Sequence, residues 1–419
     1  CPCDNAGLTG VYSPAAGCAC VHVKQTANDR RAHRQTGHFC RRLGDGNAAD
    51  DEAMRAQLEG IGRFAWGLIS HFEGAVFVDG AGDGRGARKG DDEQHGDRAE
   101  PDEPSVPVGP VAAVPPNELG KLLVLEYHRL GEPEGEFVRK AENFRSDLQA
   151  LYEAGYRPVT MREVLEGRID IPAGTSPVVF TIDDSSRGQF YLLEDGSVDP
   201  NTMLGMWETF RAENPAWNNG AVWCILPGAD HPSNFFGERP SREIPRAERE
   251  ATIQKKVDHL IENDHEVCNH TLYHARLDRA RDDAQVQEFI GRGEDSIQVY
   301  LPENYDIVTF ALPLGMWPKT RSLAWQGVYE GKPYEYGAVL EVSGDANESP
   351  FDTGFDPRSV NRFIVAPGRL ERQIAAWERD PADRYVSDGD PAVITVPARL
   401  ADRVDGARWG DRTVRVLEE

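Results

Sequence analysis

Basic residues are scarce relative to acidic ones in this 419-residue chain: 46 Lys and Arg face 70 Asp and Glu, a formal net charge of −24. That balance disfavours nucleic acid and anionic membrane surfaces as partners and leaves neutral or cationic polymers open. Long hydrophobic runs are also missing, and none approaches the ~20 residues needed to span a bilayer. The glycines of the stretch 79–116 lack dinucleotide-binding spacing and follow no strand-to-helix context, which excludes a phosphate loop. No internal repeat is present, and no histidine follows His274.

Five of the seven cysteines (Cys1, Cys3, Cys18, Cys20 and Cys40) crowd the first forty positions. The chain starts at Cys1 and not at Met, as a bacterial lipoprotein matured at its first cysteine would; Cys1 would then carry a lipid as membrane tether, a truncated sequence being the alternative. Export would let the cluster pair as disulfides. With His22, His33 and His38 it is alternatively a zinc module, although its spacings match no standard one.

Four segments are expected: a Cys-containing part over 1–78 with an amphipathic helix at Asp50–His71, a Gly/Pro-rich flexible linker over 79–116, a catalytic domain over 117–378, and a strand-like extension over 379–419 packed on the domain edge. Within the domain, strands are expected at Leu122–Tyr127, Val178–Ile182, Ala221–Leu226, Glu266–Cys268, Ile307–Ala311, Tyr336–Val342 and Arg362–Val365. Helices are expected at Ala141–Ala154, Asn201–Glu213, Arg246–Glu262, Asp283–Val299 and Leu370–Trp377. Short, almost continuously apolar strands alternating with helices define an α/β fold with a parallel sheet, as a barrel or an open doubly wound sheet.

Two motifs carry chemistry. Asp183-Asp184 ends the apolar run Val178–Ile182, and the carboxyl edge of such strands is where catalytic groups collect. His270 and His274 lie four positions apart after another short strand, a spacing that sets two imidazoles on one face of a helix or turn. Two imidazoles and one carboxylate make a three-ligand site with a position left for water, and the second carboxylate is then available as a base. Both aspartates reach one cavity only if the chain leaves strand geometry, which Ser185, Ser186 and Gly188 allow. Asn269 and Thr271 are candidates for fixing the imidazole tautomers.

Val-Val-Phe-Thr-Ile-Asp-Asp and Asn-His-Thr-Leu-Tyr-His resemble the first two motifs of the NodB-homology polysaccharide deacetylases, carbohydrate esterase family 4, and Leu-Val-Leu-Glu-Tyr-His-Arg is similar to the opening strand of many members. The resemblance spans roughly Lys121 to Trp377 and is nearest to the branch with an N-terminal Tyr-His, as in poly-N-acetylglucosamine deacetylases. It implies a distorted parallel (β/α) barrel, one divalent ion with zinc foremost, and an N-acetylated polysaccharide substrate. It further implies Asp184, His270 and His274 as metal ligands, Asp183 as base and, since the usual downstream His is missing, His128 as acid; His231, His259 and His265 are weaker candidates.

Phe310-Ala-Leu-Pro-Leu-Gly315 is similar to the third motif, except that Ala311 stands where an Arg usually orients the base; Arg187 or Arg362 would have to replace it. Pro313, Gly315, Trp317 and Tyr273 are the expected substrate-binding positions, with Trp223 and Phe236 as further aromatics and Asp352 and Asp356 as turn residues. The expected protein is a monomeric extracytoplasmic hydrolase, secreted or a cell-surface lipoprotein. A catalytically impaired glycan-binding relative, and an N-terminal interaction module with an auxiliary domain, are the alternatives.

Overall fold

The computed structural model describes residues 114–217, 220–228, 234–240, 242–342 and 344–418, with the backbone of three short strands before them. Residues 1–103 and 104–419 form separate compact units. In the first, Tyr12–Ser13, Cys18–Val21 and Phe39–Arg42 pair antiparallel, with Cys20 in register with Cys40. The expected helix at Asp50–His71, the side chains of the Cys/His cluster and the linker up to 113 lie outside the described residues, as does His231.

The second unit is built on an all-parallel sheet. Its strands are β1 (Leu123–Tyr127), β2 (Tyr156–Pro158), β3 (Ser176–Asp183), β4 (Val222–Ile225), β5 (Glu266–Asn269), β6 (Thr309–Ala311), β7 (Ala338–Leu340) and β8 (Phe363–Ile364). The order is β7-β6-β5-β4-β3-β1-β8, with β2 against the first residues of β3. The free edge of β7 is met by the chain that leads into β8: Val339 N–H donates to Pro357 O, Val360 N–H to Val339 O and Glu341 N–H to Val360 O, each at 2.9 Å. The sheet therefore curls into a distorted barrel closed by an irregular segment and not by a full strand pair. The helices that cover it are α1 (Ala141–Glu153), α2 (Met161–Glu166), α3 (Met203–Glu213), α4 (Arg246–Glu262), α5 (Asp283–Gln298) and α6 (Arg369–Arg379).

Alternation along the strands splits the core in two. Leu123, Leu125, Phe180, Ile182 and Val267 belong to the layer shared with Leu148 and Leu151 of α1, Trp207 of α3, Val257 of α4 and Ile290 of α5. Val124, Val179, Val222, Cys224, Cys268, Ala311 and Leu340 fill the barrel interior. Cys224 and Cys268 are register partners on β4 and β5, joined as a disulfide. Continuing the same inward periodicity, Glu126, Thr181, Asp183 and His270 stack above this apolar layer at the carboxyl ends of the strands, all at most 1% exposed.

The C-terminal residues do more than line an edge. Tyr385, Ile394, Val396 and Trp409 share the interior core, and strands β9 (Val393–Pro397) and β10 (Thr413–Leu417) pair parallel beside them. Glu118, just before β1, bonds this extension through both ends: its N–H donates to Thr395 O (2.9 Å), while its carboxylate accepts from Thr395 N (2.7 Å) and Tyr385 Oη (3.2 Å). Strand β2, helix α2 and the hairpin Gln326–Tyr329/Lys332–Glu335 were not expected from periodicity; each is too short to show one.

Burial, reinforced by Asp388, pushes the Glu118 carboxyl up to about 7 against the N–H of Thr395. A carboxyl raised in the folded state stabilises fully below its unfolded value near 4.5, and that contribution is lost as pH rises through about 7. Glu118→Gln, which keeps the shape, is expected to flatten the fall in thermal unfolding midpoint between about pH 5 and 8; an unchanged slope would remove this assignment.

Candidate metal centre

At the end of β3 the backbone turns left-handed, with φ of 80° at Asp184 and 44° at Ser185. That departure brings both carboxylates to one imidazole: His270 Nε2 is 3.7 Å from Asp183 Oδ2 and 3.7 Å from Asp184 Oδ1. The turn is held by backbone bonds. Leu226 N–H donates to Ser185 Oγ (3.0 Å), Phe236 N–H to Ser185 O (2.6 Å), and the buried Gln189 amide takes Ser186 N–H while donating to the carbonyls of Asp183 and His128.

The two histidines sit on a second strained turn after β5, not on a helix, with φ of 64° at Thr271 and 57° at His274. Their ring centroids are 4.9 Å apart, and His274 Nε2 lies 3.8 Å from Asp184 Oδ1. His270 Nδ1 is 2.9 Å from Ala311 O; a carbonyl can only accept, so the proton is on Nδ1 and Nε2 is free to ligate. Ala311 thus serves through its backbone. The side-chain hydrogen bonds of Asn269 and Thr271 go to other groups: Asn269 bonds Thr271 N–H, Ile290 O and Tyr336 Oη, and Thr271 Oγ1 accepts from Ala275 N–H. Their part is to shape the turn, against which α5 packs at Gly293, where a Cβ would stand 2.6 Å from Asn269 Oδ1.

Asp184, His270 and His274 each offer a donor atom within 4.8 Å of the others. Asp184 Oδ1 and His270 Nε2 are buried without a hydrogen-bond partner. The 3.7 and 3.8 Å separations are near the ~3.4 Å edge of a tetrahedron with zinc-length bonds, and two imidazoles plus a carboxylate is a donor set such ions accept. A divalent cation therefore fits.

Of the two arginines expected near Asp183, Arg362, from the segment that closes the barrel, is the one that reaches it. It is fully buried; Nη1 donates to Asp183 Oδ1 (2.8 Å) and Thr181 Oγ1 (3.2 Å), and Nε to Glu341 O (2.8 Å). Arg187 instead lies over the Tyr191 ring, 3.8 Å from its centroid. Burial would raise the Asp183 carboxyl, but the charge and hydrogen bond of Arg362 override it and hold it well below the carboxylate range. Asp184 lacks such a partner: burial and then the charge of Asp183 push it up to about 7. Burial lowers His270 to about 3 and His128 to about 4, so both are neutral near pH 7.

His128 stands beside this group, half-buried, its ring edge on Phe137 and its Nε2 3.6 Å from Glu126 Oε1. His265 instead accepts from Ala221 N–H and Trp223 Nε1, and His259 pairs with Glu208. Pro313 and Gly315 form a turn after Ala311 that exposes Leu314 (50%) and Met316 (39%), and Tyr273 is 55% exposed between the two histidines. Trp317 is partly buried with Arg321 3.7 Å over one face; Trp223 and Phe236 are core. Asp352 and Asp356 accept N–H groups two residues on, as turn residues do. Glu126 and Gln189 were missed. A carboxylate inside an apolar strand was the available signal for the first; the second had none.

No family model and no curated protein matches the chain. Among solved structures it is similar to the Streptococcus pyogenes deacetylase PplD in complex with acetate (15% identity, TM-score 0.43, covering 61% of this chain and 97% of that one). It is also similar to the polysaccharide deacetylase BC0361 from Bacillus cereus (15%, 0.42, 61% and 68%) and to IcaB from Ammonifex degensii (18%, 0.41, 62% and 97%).

Truncating Arg362 leaves buried carboxylates without their cation, so Arg362→Met is expected to cost about 3–5 kcal/mol in denaturant unfolding. A loss below about 1 kcal/mol would show that the pair is not structural.

Proposed function

We propose that this chain is a metal-dependent polysaccharide deacetylase of the NodB-homology type, removing N-acetyl groups from an N-acetylglucosamine-containing polymer. One observation carries the reading: Asp184, His270 and His274 converge, with Asp184 Oδ1 and His270 Nε2 buried and unpartnered, while the neighbouring Asp183 is ionised and oriented by Arg362. In this reading Asp184, His270 and His274 hold one divalent ion, zinc foremost, which when bound polarises the acetamide carbonyl and lowers the pKa of a water molecule toward about 7.

The protein's own groups move the protons. Asp183 uses Oδ1 for Arg362, which leaves Oδ2 on the His270 side to accept the proton of the attacking water. As the new C–O bond forms and the C–N bond breaks, the departing amine needs a proton; His128, neutral at rest and with a ring nitrogen within 4.8 Å of an Asp183 oxygen, takes up the proton that Asp183 removed from the water and passes it to the amine, giving acetate and a protonated amino sugar. Tyr273, Trp317 and the Pro313–Gly315 turn offer contacts to the sugar rings. A glycan-binding relative without activity is disfavoured by Arg362, which restores what Ala311 lacks. An extracytoplasmic location fits the Cys224–Cys268 disulfide, since such bonds persist in oxidising compartments; among the described residues no helix is long and apolar enough to cross a membrane.

Acetate release from acetylated chito-oligomers by the zinc-loaded protein is the direct test, and none would sink the proposal. Asp183→Asn is expected to lower release by about 10²–10⁴-fold with zinc still bound, and His128→Ala by at least about 10²-fold. Parent-rate release by His128→Ala would refute the acid assignment. Zinc at a hundredfold its Kd should stabilise the fold by about 2.7 kcal/mol, an effect that His270→Ala removes.

A further inference from the structure

Glu126 has no part in that scheme, yet it lies at its centre. It occupies an inward position of β1 with its side chain fully buried, and neither carboxylate oxygen has a hydrogen-bond partner. Burying an unneeded carboxylate costs several kcal/mol, so an apolar residue would serve the strand better. Its oxygen Oε1 lies 3.4 Å from Arg362 Nη2 and 3.6 Å from His128 Nε2, within ion-pair reach of both. Arg362 Nη2 and His128 Nδ1 are themselves buried with no hydrogen-bond partner.

The other arms of Arg362 are committed to Glu341 O, Thr181 Oγ1 and Asp183, so Glu126 faces the one edge left. On the other side, Glu126 Oε1 is 3.6 Å from His128 Nε2, a contact that becomes an ion pair when His128 carries a proton. Donor atoms of Glu126, His128 and Asp183 fall within 4.8 Å of one another, a spacing that would also suit a cation. The guanidinium excludes that use: it already supplies positive charge 2.8 Å from Asp183 and 3.4 Å from Glu126, and a divalent ion would be forced against it in a dry layer.

We propose that Glu126 is a positioning residue: one buried carboxylate fixes Arg362 behind Asp183 and His128 beside it, so that base and acid keep a set geometry. This rests on the deacetylase reading for its catalytic consequence and on Arg362 for its structural one, and the two are separable. Glu126→Gln keeps the volume and removes the charge. In the zinc-loaded full chain it is expected to lower kcat for acetate release by about 10–100-fold with KM and zinc affinity within about twofold of the parent. In the metal-free protein, a double-mutant cycle of Glu126→Gln with Arg362→Met is expected to show a coupling of at least about fivefold in the unfolding equilibrium constant. Parent kcat in Glu126→Gln, or additive effects in the cycle, would overturn the proposal. A parent that releases no acetate would defeat the deacetylase reading alone, since the cycle still decides whether Glu126 holds Arg362.

Discussion

The ion pair between Arg362 and Asp183 is the constraint on which the rest of the site depends. The guanidinium comes from residues that also complete the barrel: 357–360 pair with β7, and the chain then runs through Arg362 into β8. Closure of the sheet and orientation of the carboxylate are therefore one event. A fully buried cation with its Nε on a backbone carbonyl and Nη1 on a strand hydroxyl and a carboxylate is held along two of its edges, so one oxygen of Asp183 is engaged and the other is left for the cavity.

That pair works because of the layer in which it sits. Below it the interior is filled by Val, Cys, Ala and Leu side chains and sealed by Tyr385, Ile394 and Trp409 from the C-terminal residues. A dry floor raises the carboxylates that lack a cation and lowers the imidazoles, which is the pattern at Asp184, His270 and His128; Asp183 departs from it because its cation is close. Two adjacent aspartates thereby acquire different properties from one backbone turn.

Much of this was legible in the sequence. The expected helix at 246–262 matches its observed span, and strands such as Leu123–Tyr127 and Ser176–Asp183 showed as apolar runs because both of their faces are buried. Asp183, Asp184, His270 and His274 stood out because charged and imidazole groups ending apolar strands are uncommon. What could not be read was partnership across long separations. Arg362 lies 179 positions from Asp183, and nothing local distinguished it from Arg187. The role of Ala311 was invisible for another reason, since it acts through its carbonyl and any residue could supply one.

The left-handed backbone at Asp184 also narrows what this position can become. Among residues with a side-chain oxygen, Asp and Asn are the ones that visit φ near +60–80° with least strain, through short side chains that bond locally. Glutamate carries the same charge but lacks that tolerance, so a side chain of one extra methylene would have to bend the turn that Ser185 and Gln189 hold in place. The path of the chain, as much as the need for a carboxylate, selects the shorter acid here.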